Sequence, residues 1–474
     1  MNFWTIRGIH PAFASYAKRL IYTSLIPKLS KTNALLPKVH EMPPIVDTRQ
    51  GLLFADTLER TVSDGVSSTF VNNMSLPVHR WFRYSAGFSA AWVSSVIRQF
   101  RVDGAVRLFD PFAGSATTLI EAEREGVECI GIDSHPFIAR IARAKLHWRT
   151  DPDAYKKQAK SVRDVAMRLD EGADDFPELV QKCYDRATLT ALDSLRRAHE
   201  QSSDGSVASE LTWLTLVSIL RKTSTAGTAQ WQYVLPRKQK QRPMEAFSAF
   251  DAQIRMFYAD MQGGRSAIGN HARFMQADAR DCNGVPDGFA NLVITSPPYP
   301  NNYDYADATR LEMSFMREIN GWGDLQSSVR QFLIRSCSQH VPCRTVDLDL
   351  ILAESQLDPI RRELTAVCSE LAEVRMTKGG KKTYHLMVAC YFRDLALVWQ
   401  SLRRVCDRGA RVCFVIGDSA PYGVYVPVIP WLGNLAIAAG FKSYAFERTR
   451  DRNVKWKNRK HRVPLQEGRL WVEG

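Results

Sequence analysis

Apolar residues occur along this chain in two patterns. Some recur at helical spacing, and others form the short runs typical of strands. Positions 88–97 have apolar residues at helical spacing, and two short apolar runs follow at 105–109 and 127–132. Turn residues close each run, and the stretch between them, 115–125, has the composition of a helix. A strand–helix–strand unit of about thirty residues indicates a parallel sheet with a right-handed crossover.

The rest of the pattern extends this sheet and interrupts it twice. Strand signals return at 272–276, 291–294 and 412–416, whereas 150–262 and 310–375 are mostly helical, without strand alternation. We therefore predict an α/β fold with a doubly wound, mostly parallel sheet and helical insertions. The predicted segments are an irregular basic extension at 1–75, the first part of the core at 76–149, a helical insertion with possible target recognition at 150–265, more core at 266–310, a second helical insertion at 311–385, and the end of the core with a basic tail at 386–474.

The turn after the first predicted strand carries the first candidate for chemistry. It reads Asp110-Pro111-Phe112-Ala113-Gly114-Ser115-Ala116-Thr117-Thr118. Gly114 lets the backbone pass close to a ligand, and the helix that follows presents free amide groups. Asp110 is placed to accept a hydrogen bond from an ammonium group. Asp133 ends the next strand, where a carboxylate can bind the two hydroxyls of a ribose. Since G-x-G-x-x-G is absent, a nucleoside cofactor is favoured over a dinucleotide, although each residue alone is equally a cap or turn former.

A third strand end carries Asp278. Its carboxylate either accepts from an adenine amino group or caps the next turn, and the sequence leaves both readings open.

The run at 291–294 ends in the second candidate motif, Ser296-Pro297-Pro298-Tyr299. An aromatic amine such as cytosine N4 is a poor nucleophile because its lone pair is delocalised into the ring. The Ser296 hydroxyl and the Pro297 carbonyl could accept its hydrogens and stabilise the positive charge of the transition state. The prolines stiffen the backbone, and Tyr299 offers a ring for stacking a base. The alternative is a proline-rich surface turn.

Charge and cysteine content narrow the classes of protein to which this chain can belong. The 474 residues include 63 basic and 50 acidic side chains, and the net charge of +13 favours a polyanionic partner such as nucleic acid or, equally, a basic protein without one. Nine cysteines form no C-x-x-C pair, which argues against a zinc site and suits a reducing cytosol. No apolar run reaches the roughly 18 residues of a membrane span. The acid-poor first forty residues fit a basic arm, an upstream extension or a targeting segment.

Together the two motifs resemble the amino-methyltransferases that act on DNA, specifically the cytosine-N4 type, whose motifs read D-P-F-x-G-S-G-T-T and S-P-P-Y. The segment at 79–84 is similar to the one that closes over the methionine part of their cofactor. The resemblance implies a Rossmann-like class I methyltransferase fold with S-adenosyl-L-methionine as methyl donor. It implies cofactor binding by Asp110, Pro111, Phe112, Gly114, Ser115, Thr117, Asp133 and Asp278, and catalysis by Ser296, Pro297, Pro298 and Tyr299.

Two departures from the family pattern bear on this interpretation. Ala116 stands where the family has glycine, which is harmless in a helical backbone and costly at positive φ. Ser296 stands where adenine-N6 enzymes have Asp or Asn, which favours cytosine.

We therefore predict a site-specific methyltransferase of double-stranded DNA in the bacterial cytoplasm, in a restriction-modification or phage-defence setting with a cognate nuclease. The alternatives are an adenine-N6 enzyme, an RNA base methyltransferase and a non-catalytic DNA-binding protein on this fold. A flipped base requires that both backbones be held. The candidates for this are Arg237, Lys238, Arg450, Arg452, Lys455 and Lys457. Asn301, Asn302, Tyr303 and Tyr305 either line a base pocket or are ordinary loop residues.

Overall fold

The computed structural model describes residues 70–452 and 464–474, apart from 85–86, 170–171, 173–174, 230–232, 241, 265–270, 302, 342–345 and 380–381. Within these residues the strands are β1 (Arg107–Asp110), β2 (Glu128–Asp133), β3 (Ala226–Thr228), β4 (Val234–Gln239), β5 (Arg273–Gln276), β6 (Ala290–Thr295), β7 (Cys406–Gly417), β8 (Ser443–Arg452) and β9 (Leu465–Glu473).

The α-helices of the same residues occupy both sides of the sheet and the two insertions. They are α1 (Ala90–Arg101), α2 (Thr117–Glu125), α3 (Pro136–Leu146), α4 (Pro152–Ala166), α5 (Glu178–Gln181), α6 (Arg186–Ser202), α7 (Val207–Thr223), α8 (Ala246–Gly264), α9 (Arg310–Phe315), α10 (Leu325–Ser328), α11 (Leu348–Leu352), α12 (Arg361–Val374), α13 (Tyr384–Val405) and α14 (Val428–Ala438). Short 3-10 turns lie at Phe70–Ser75, His79–Trp81, Asp307–Thr309, Arg330–Phe332, Ser338–His340, Ser355–Leu357, Arg375–Thr377 and Pro421–Gly423.

Seven strands form one sheet in the order β5-β2-β1-β6-β7-β9-β8. Pairing is parallel from β5 to β7, and β9 runs antiparallel to both β7 and β8. The chain builds the β1-β2-β5 side first and then returns to β6 on the other side of β1. The prediction of a doubly wound, mostly parallel α/β sheet is confirmed. Ligands of such sheets bind at the carboxyl ends of the strands, where the order reverses, which here is between β1 and β6.

Alternate side chains of each central strand enter different cores, as the period of two requires. Leu108 and Leu292 join one apolar cluster with α1, α2 and α3, while Phe109 and Val293 join a second cluster with α13 and α14. Because both faces of these strands are covered, their central residues are apolar on both sides of the pleat. The two cores fix the strand ends that carry the motifs.

The first insertion packs against the sheet through the first of these clusters. Tyr155 of α4, Leu192 of α6 and Phe257 of α8 are buried in the same cluster as Leu108. Helix α3 also contacts α7. This insertion is therefore continuous with one face of the core.

The prediction that 150–262 lacks strands is wrong, because β3 and β4 form an antiparallel hairpin there. Among the β4 residues only Val234 is buried, and the strand also contains a proline and two charged residues, so it shows no apolar alternation.

The structure places Arg448, Arg450 and Arg452 in β8 rather than in a basic tail. β8 is the edge strand of the sheet, and charged side chains are a common way to protect such an edge. Its composition therefore hid it from the sequence pattern.

Among the described residues, no helix combines the length and apolar character needed to cross a membrane.

Candidate functional site

Two loops, one after β1 and one after β6, meet where the strand order reverses. β1 ends at Asp110 and β6 ends at Thr295. The Thr295 hydroxyl donates to the Asp110 carboxylate over 2.6 Å, and the N–H of Phe112 donates to the same carboxylate oxygen over 3.0 Å. The two motifs that the sequence singled out are therefore in direct contact.

The loop after β1 turns sharply at two residues with positive φ. Gly114 has φ +51° and Ala116 has φ +68°, both in the left-handed region. A Cβ on Gly114 would lie 3.3 Å from the ring of Tyr84, so glycine also permits a close approach there. The alanine at position 116 occupies the costly conformation, not the helical one.

Asp133 ends β2 and reaches across to this loop. Its Oδ2 accepts from the N–H of Gly114 at 2.9 Å, and its Oδ1 accepts from the N–H of His135 at 2.8 Å. An ionised carboxylate has about four lone-pair sites, so both oxygens can accept further hydrogen bonds. Asp133 is thus both part of the loop and a possible ligand for hydroxyl groups.

Burial raises the pKa of both strand-end carboxyls to about 6. For Asp110 the hydrogen bonds from Thr295 and Phe112 only partly oppose burial, and for Asp133 the two backbone N–H groups do the same. A cation or a set of hydroxyl donors next to these groups would favour their ionised forms. The site is therefore prepared for a ligand that carries positive charge and hydroxyl groups.

A buried lysine, Lys145, is hydrogen-bonded to the backbone of the same loop. The Lys145 ammonium donates to the carbonyl of Ser115 at 3.4 Å and to that of His79 at 3.2 Å. Burial lowers the pKa of Lys145 to about 7. Pro111, Ser115 and Thr117 are themselves buried, so they shape the loop from inside. No sequence motif had indicated Lys145.

The loop after β6 begins with Ser296, which is partly buried. Its hydroxyl donates to the carbonyl of Val415 in β7 over 3.1 Å. Because the hydroxyl has one hydrogen, this bond leaves the Ser296 oxygen as an acceptor toward any ligand. Pro297 behind it is buried, and Pro298 is partly buried.

Tyr299 is covered on one face by an arginine from the edge strand. The Arg452 guanidinium lies 5.1 Å from the centre of the Tyr299 ring. Arg452 also donates to the carbonyl of Asp418 at 2.6 Å and lies 3.7 Å from the Glu467 carboxylate. The structure therefore places Arg452, predicted to hold DNA from a tail, against the Ser296-Pro297-Pro298-Tyr299 motif.

Further tyrosines surround this loop. Tyr303 and Tyr305 have ring centres 4.3 Å apart. Tyr391 of α13 is fully buried, and its hydroxyl has no hydrogen-bond partner among the described residues. Burial raises the pKa of Tyr391, and Tyr305 and Tyr299 add to this effect. Tyr391 escaped the sequence interpretation because it belongs to no motif, whereas Tyr84 lies in the segment 79–84 that the resemblance had indicated.

Asp278 follows β5, and its carboxylate forms a hydrogen-bonded ion pair with Arg280. The Arg280 side chain donates to both carboxylate oxygens, at 3.0 and 2.9 Å from Nε, and the N–H of Arg280 donates at 2.9 Å. This is the arrangement of a turn-forming aspartate. Contact between Asp278 and a cofactor base stays a prediction.

The predicted nucleic-acid residues are spread over several elements. Arg237 and Lys238 are exposed on β4. Arg450 lies on β8 with its side chain 52% exposed and paired with Glu467 at 2.6 Å. Lys455 and Lys457 lie outside the described residues, as does Asn302.

A buried ion cluster anchors the chain after the Ser296-Pro297-Pro298-Tyr299 motif. Asp304 accepts from Arg330 at 2.6 Å and from Nε2 of His340 at 3.0 Å. Nδ1 of His340 donates to the carbonyl of Ile334 at 3.1 Å. Because carboxylate and carbonyl groups only accept, both ring nitrogens carry hydrogen and His340 is an imidazolium.

Within the described part of the chain, three residues of this cluster have the spacing of metal ligands. Ligand atoms of Asp304, Cys337 and His340 lie within 4.8 Å of one another. The His340 ring has no nitrogen lone pair to offer a metal in this arrangement. The trio with Arg330 is therefore best described as an ion cluster.

Comparison with known proteins agrees with this geometry. Residues 60–144 match the family model described as DNA methylase, of the N6 and N4 type. The chain is 25% identical over 414 residues to the Type II methyltransferase M.BsoBI of Geobacillus stearothermophilus, covering 78% of this chain and 80% of that protein. It is 23% identical over 412 residues to the Type II methyltransferase M.AvaI of Nostoc sp. (strain PCC 7120), covering 79% and 81%.

These similarities support a DNA amino-methyltransferase, which confirms the coarser part of the resemblance. Methyltransferases of this family use S-adenosyl-L-methionine as methyl donor, so the cofactor prediction is confirmed as well.

Proposed function

We propose that this protein transfers a methyl group from S-adenosyl-L-methionine to N4 of cytosine in double-stranded DNA. The observation that carries this proposal is the hydrogen bond from the Ser296 hydroxyl to the Val415 carbonyl. This bond occupies the only hydrogen of the hydroxyl and leaves an uncharged acceptor at the end of β6. A neutral acceptor at this position, instead of a carboxylate or amide, favours cytosine over adenine.

Catalysis has to activate the amine, because the methyl group of the cofactor is already electrophilic. Cytosine N4 becomes nucleophilic when its hydrogens are held by acceptors that draw its lone pair out of the ring plane. We assign this role to the Ser296 oxygen and the Pro297 carbonyl, which the two prolines hold in place before the base arrives. After transfer, N4 carries a positive charge that the same acceptors stabilise until one proton leaves to water.

The residues at the β1 and β2 ends fit the cofactor in their chemistry. S-Adenosyl-L-methionine supplies an electrophilic methyl group on a sulfonium centre, and the bonding electron pair stays on sulfur when the methyl is transferred. The Asp133 oxygens can accept from ribose hydroxyls, and Asp110 offers a buried negative charge for the ammonium end. Gly114 has no Cβ, and a Cβ at this position would contact Tyr84. Its absence lets a ligand approach the backbone closely.

The base would enter between the catalytic loop and the tyrosines. A base in a duplex has to be flipped out to reach such a site and is then held by stacking. Since Arg452 covers one face of Tyr299, the other face is the one we assign to the base. The two relatives are Type II methyltransferases, which supports a modification enzyme with a cognate nuclease.

A product assay on the purified protein tests this function. Unmodified genomic DNA would be incubated with S-adenosyl-L-methionine, digested to nucleosides and analysed by mass spectrometry. We expect N4-methylcytosine. Ser296→Ala should lower kcat by roughly 10²- to 10³-fold, the usual effect of removing one transition-state hydrogen-bond partner. Its affinity for S-adenosyl-L-methionine should stay within about twofold, because Ser296 acts only on the base.

Ser327→Ala is the matched control, since Ser327 is an exposed serine of α10 whose hydroxyl bonds only locally. N6-methyladenine as the product would show that the base assignment is wrong, and methylated RNA without methylated DNA would show the same for the substrate. Failure to bind the cofactor would favour a non-catalytic protein, the alternative to which the strained Ala116 points.

A further inference from the structure

A basic cleft lies apart from the two motif loops, between the β3–β4 hairpin, α7, α9 and the segment before α1. Its volume is about 310 Å³. The charged residues that line it are Arg80, Arg83, Arg221, Lys222, Lys240 and Glu312. Nothing in the methyl-transfer chemistry uses these side chains.

Two of the cations are neutralised by carboxylates. Arg80 pairs with Asp260 at 2.5 Å, and Arg221 binds both oxygens of Glu312 at 2.5 and 3.0 Å. Even with Asp260 counted, cations exceed carboxylates by three among the described residues of the cleft. The cleft therefore carries a local excess of positive charge.

Two lysines of this cleft are held by neutral partners. The Lys222 ammonium donates to the side-chain oxygen of Gln253 at 2.5 Å. The Lys240 ammonium donates to the last carbonyls of α7, those of Arg221 and Lys222, at 3.4 and 3.1 Å. Burial lowers the pKa of Lys222, so its charge is costly unless an anion approaches. Both lysines line the same cleft.

We propose that this cleft binds a phosphate group of the DNA backbone, with Lys222 and Lys240 as its main ligands. The inference rests on the proposed function for its partner and adds the place where that partner is held. Phosphate contacts fix the register of a protein on DNA without reading its sequence. The cleft would therefore position the duplex while the loop after β6 receives the base.

The hairpin connects this cleft to the catalytic loop. The Tyr233 hydroxyl, just before β4, accepts from the N–H of Asp304 at 2.6 Å. Lys240 directly follows the other end of β4. An extended strand of this length covers roughly 20 Å, or about six base pairs of DNA. The exposed Arg237 and Lys238 lie along this path, and a two-stranded ribbon fits the major groove.

Salt dependence of DNA binding tests the proposal. Binding of a mixed-sequence duplex of about 30 base pairs would be followed by fluorescence anisotropy between about 50 and 200 mM salt. Each phosphate contact contributes a slope of about −0.9 to log Kobs against log salt. Lys222→Gln and Lys240→Gln should each weaken binding, and the double variant, which leaves that one phosphate without either lysine, should reduce the slope by about 0.9. The loss of affinity should be uniform across sequences.

Lys160→Gln on α4 is the matched control, because it removes one exposed lysine outside the cleft. Lys222→Arg should keep the wild-type slope, because it keeps the charge. A structural role, such as the contact of Lys240 with the end of α7, would change the melting temperature but not the salt slope. If the double variant and Lys160→Gln both show the wild-type slope, the cleft does not bind phosphate. This readout needs no methyl transfer, so a wrong base assignment would leave it intact.

Discussion

Asp110 is a carboxyl group kept in an unfavourable environment. It is 1% exposed, and burial raises its pKa from 3.8 to about 6. At neutral pH the folded chain therefore holds a charge that costs about 3 kcal/mol relative to the unfolded chain. Since the folded state binds the proton more tightly, this group's contribution to stability falls as pH rises from about 4 to about 6. A bound ammonium group would recover part of that free energy.

We expect Asp110→Asn to stabilise the cofactor-free protein and to weaken cofactor binding. Asparagine keeps an oxygen acceptor for Thr295 and Phe112, which both donate to the same oxygen. At pH 7.5 the free energy of unfolding in urea should rise by up to about 3 kcal/mol, and calorimetry should show weaker binding of S-adenosyl-L-methionine. At pH 5 the stability difference should shrink, because the wild-type group is then protonated. A variant less stable than wild type at both pH values would contradict this account.

At the residue scale the sequence predicts motif residues well and their partners poorly. Asp110, Asp133 and Ser296 follow from strand ends and a recognisable spacing. The residues that contact or surround them come from distant segments, such as Lys145 and Tyr391, and no local pattern marks these two. Arg452 was predicted to contact DNA from a basic tail, because its strand was not predicted.

Helix α2 is bounded at both ends by a residue in the same left-handed conformation. Ala116 has φ 68° and ψ 30°, and Gly126 has φ 67° and ψ 30°. Glycine adopts this conformation freely, whereas a Cβ costs roughly 1–2 kcal/mol. The two ends of one helix thus offer a matched pair of positions with opposite residues.

Exchanging the residues at these two ends should have opposite effects. Ala116→Gly should raise the free energy of unfolding by up to about 1 kcal/mol, because strain is relieved while a buried methyl group is lost. Gly126→Ala should lower it by about 1 kcal/mol or more. Urea unfolding of both variants beside wild type measures this. If Ala116→Gly proves as destabilising as Gly126→Ala, the buried methyl group outweighs the strain at the cofactor loop.

At the element scale, apolar strands were predictable and charged ones were not. The five parallel strands that carry the motifs, β1, β2, β5, β6 and β7, coincide in position with the predicted apolar runs. β4 and β8 carry several Lys and Arg residues, because solvent covers much of their surface, and β3 has only three residues, Ala-Gly-Thr. Periodicity reports burial, so elements that lie at an edge give no signal of this kind.

At the scale of the whole molecule, the sheet collects segments that are far apart in sequence. Carboxyl ends of β1, β2, β6, β7 and β8 meet at one edge, since β9 runs antiparallel between β7 and β8. This brings Arg452 to Tyr299 and Val415 to Ser296. Strand order between distant segments has no local signature, so the sequence could predict which residues matter but not their neighbours.

Both insertions are tied to the loop after β6 at one aspartate. Tyr233 of the first insertion contacts the backbone of Asp304, while Arg330 and His340 of the second contact its side chain. Burial by itself raises the pKa of Asp304, but His340 and Arg330 outweigh burial and lower it to about 2. The cluster is therefore a shared anchor for the loop after β6.

This anchor should depend on pH through His340. Burial lowers the pKa of His340, but the neighbouring Cys337 and Asp304 outweigh burial and raise it to about 10. A group whose pKa is higher in the folded state contributes stability that is fully present below about 6.5 and is lost as pH rises through about 10. His340→Gln should therefore lower the free energy of unfolding by a few kcal/mol at pH 7, since it leaves buried acceptors without donors.

The same substitution should matter much less at pH 10, where the wild-type imidazole has lost much of its charge. Urea unfolding of wild type and variant at both pH values measures the difference. His271→Gln is the control, because that side chain is 71% exposed. If the variant is equally destabilised at pH 7 and pH 10, His340 acts through packing and not through its charge. Cofactor affinity should change little, whereas turnover should fall at both pH values, because the loop that holds the base has lost its anchor.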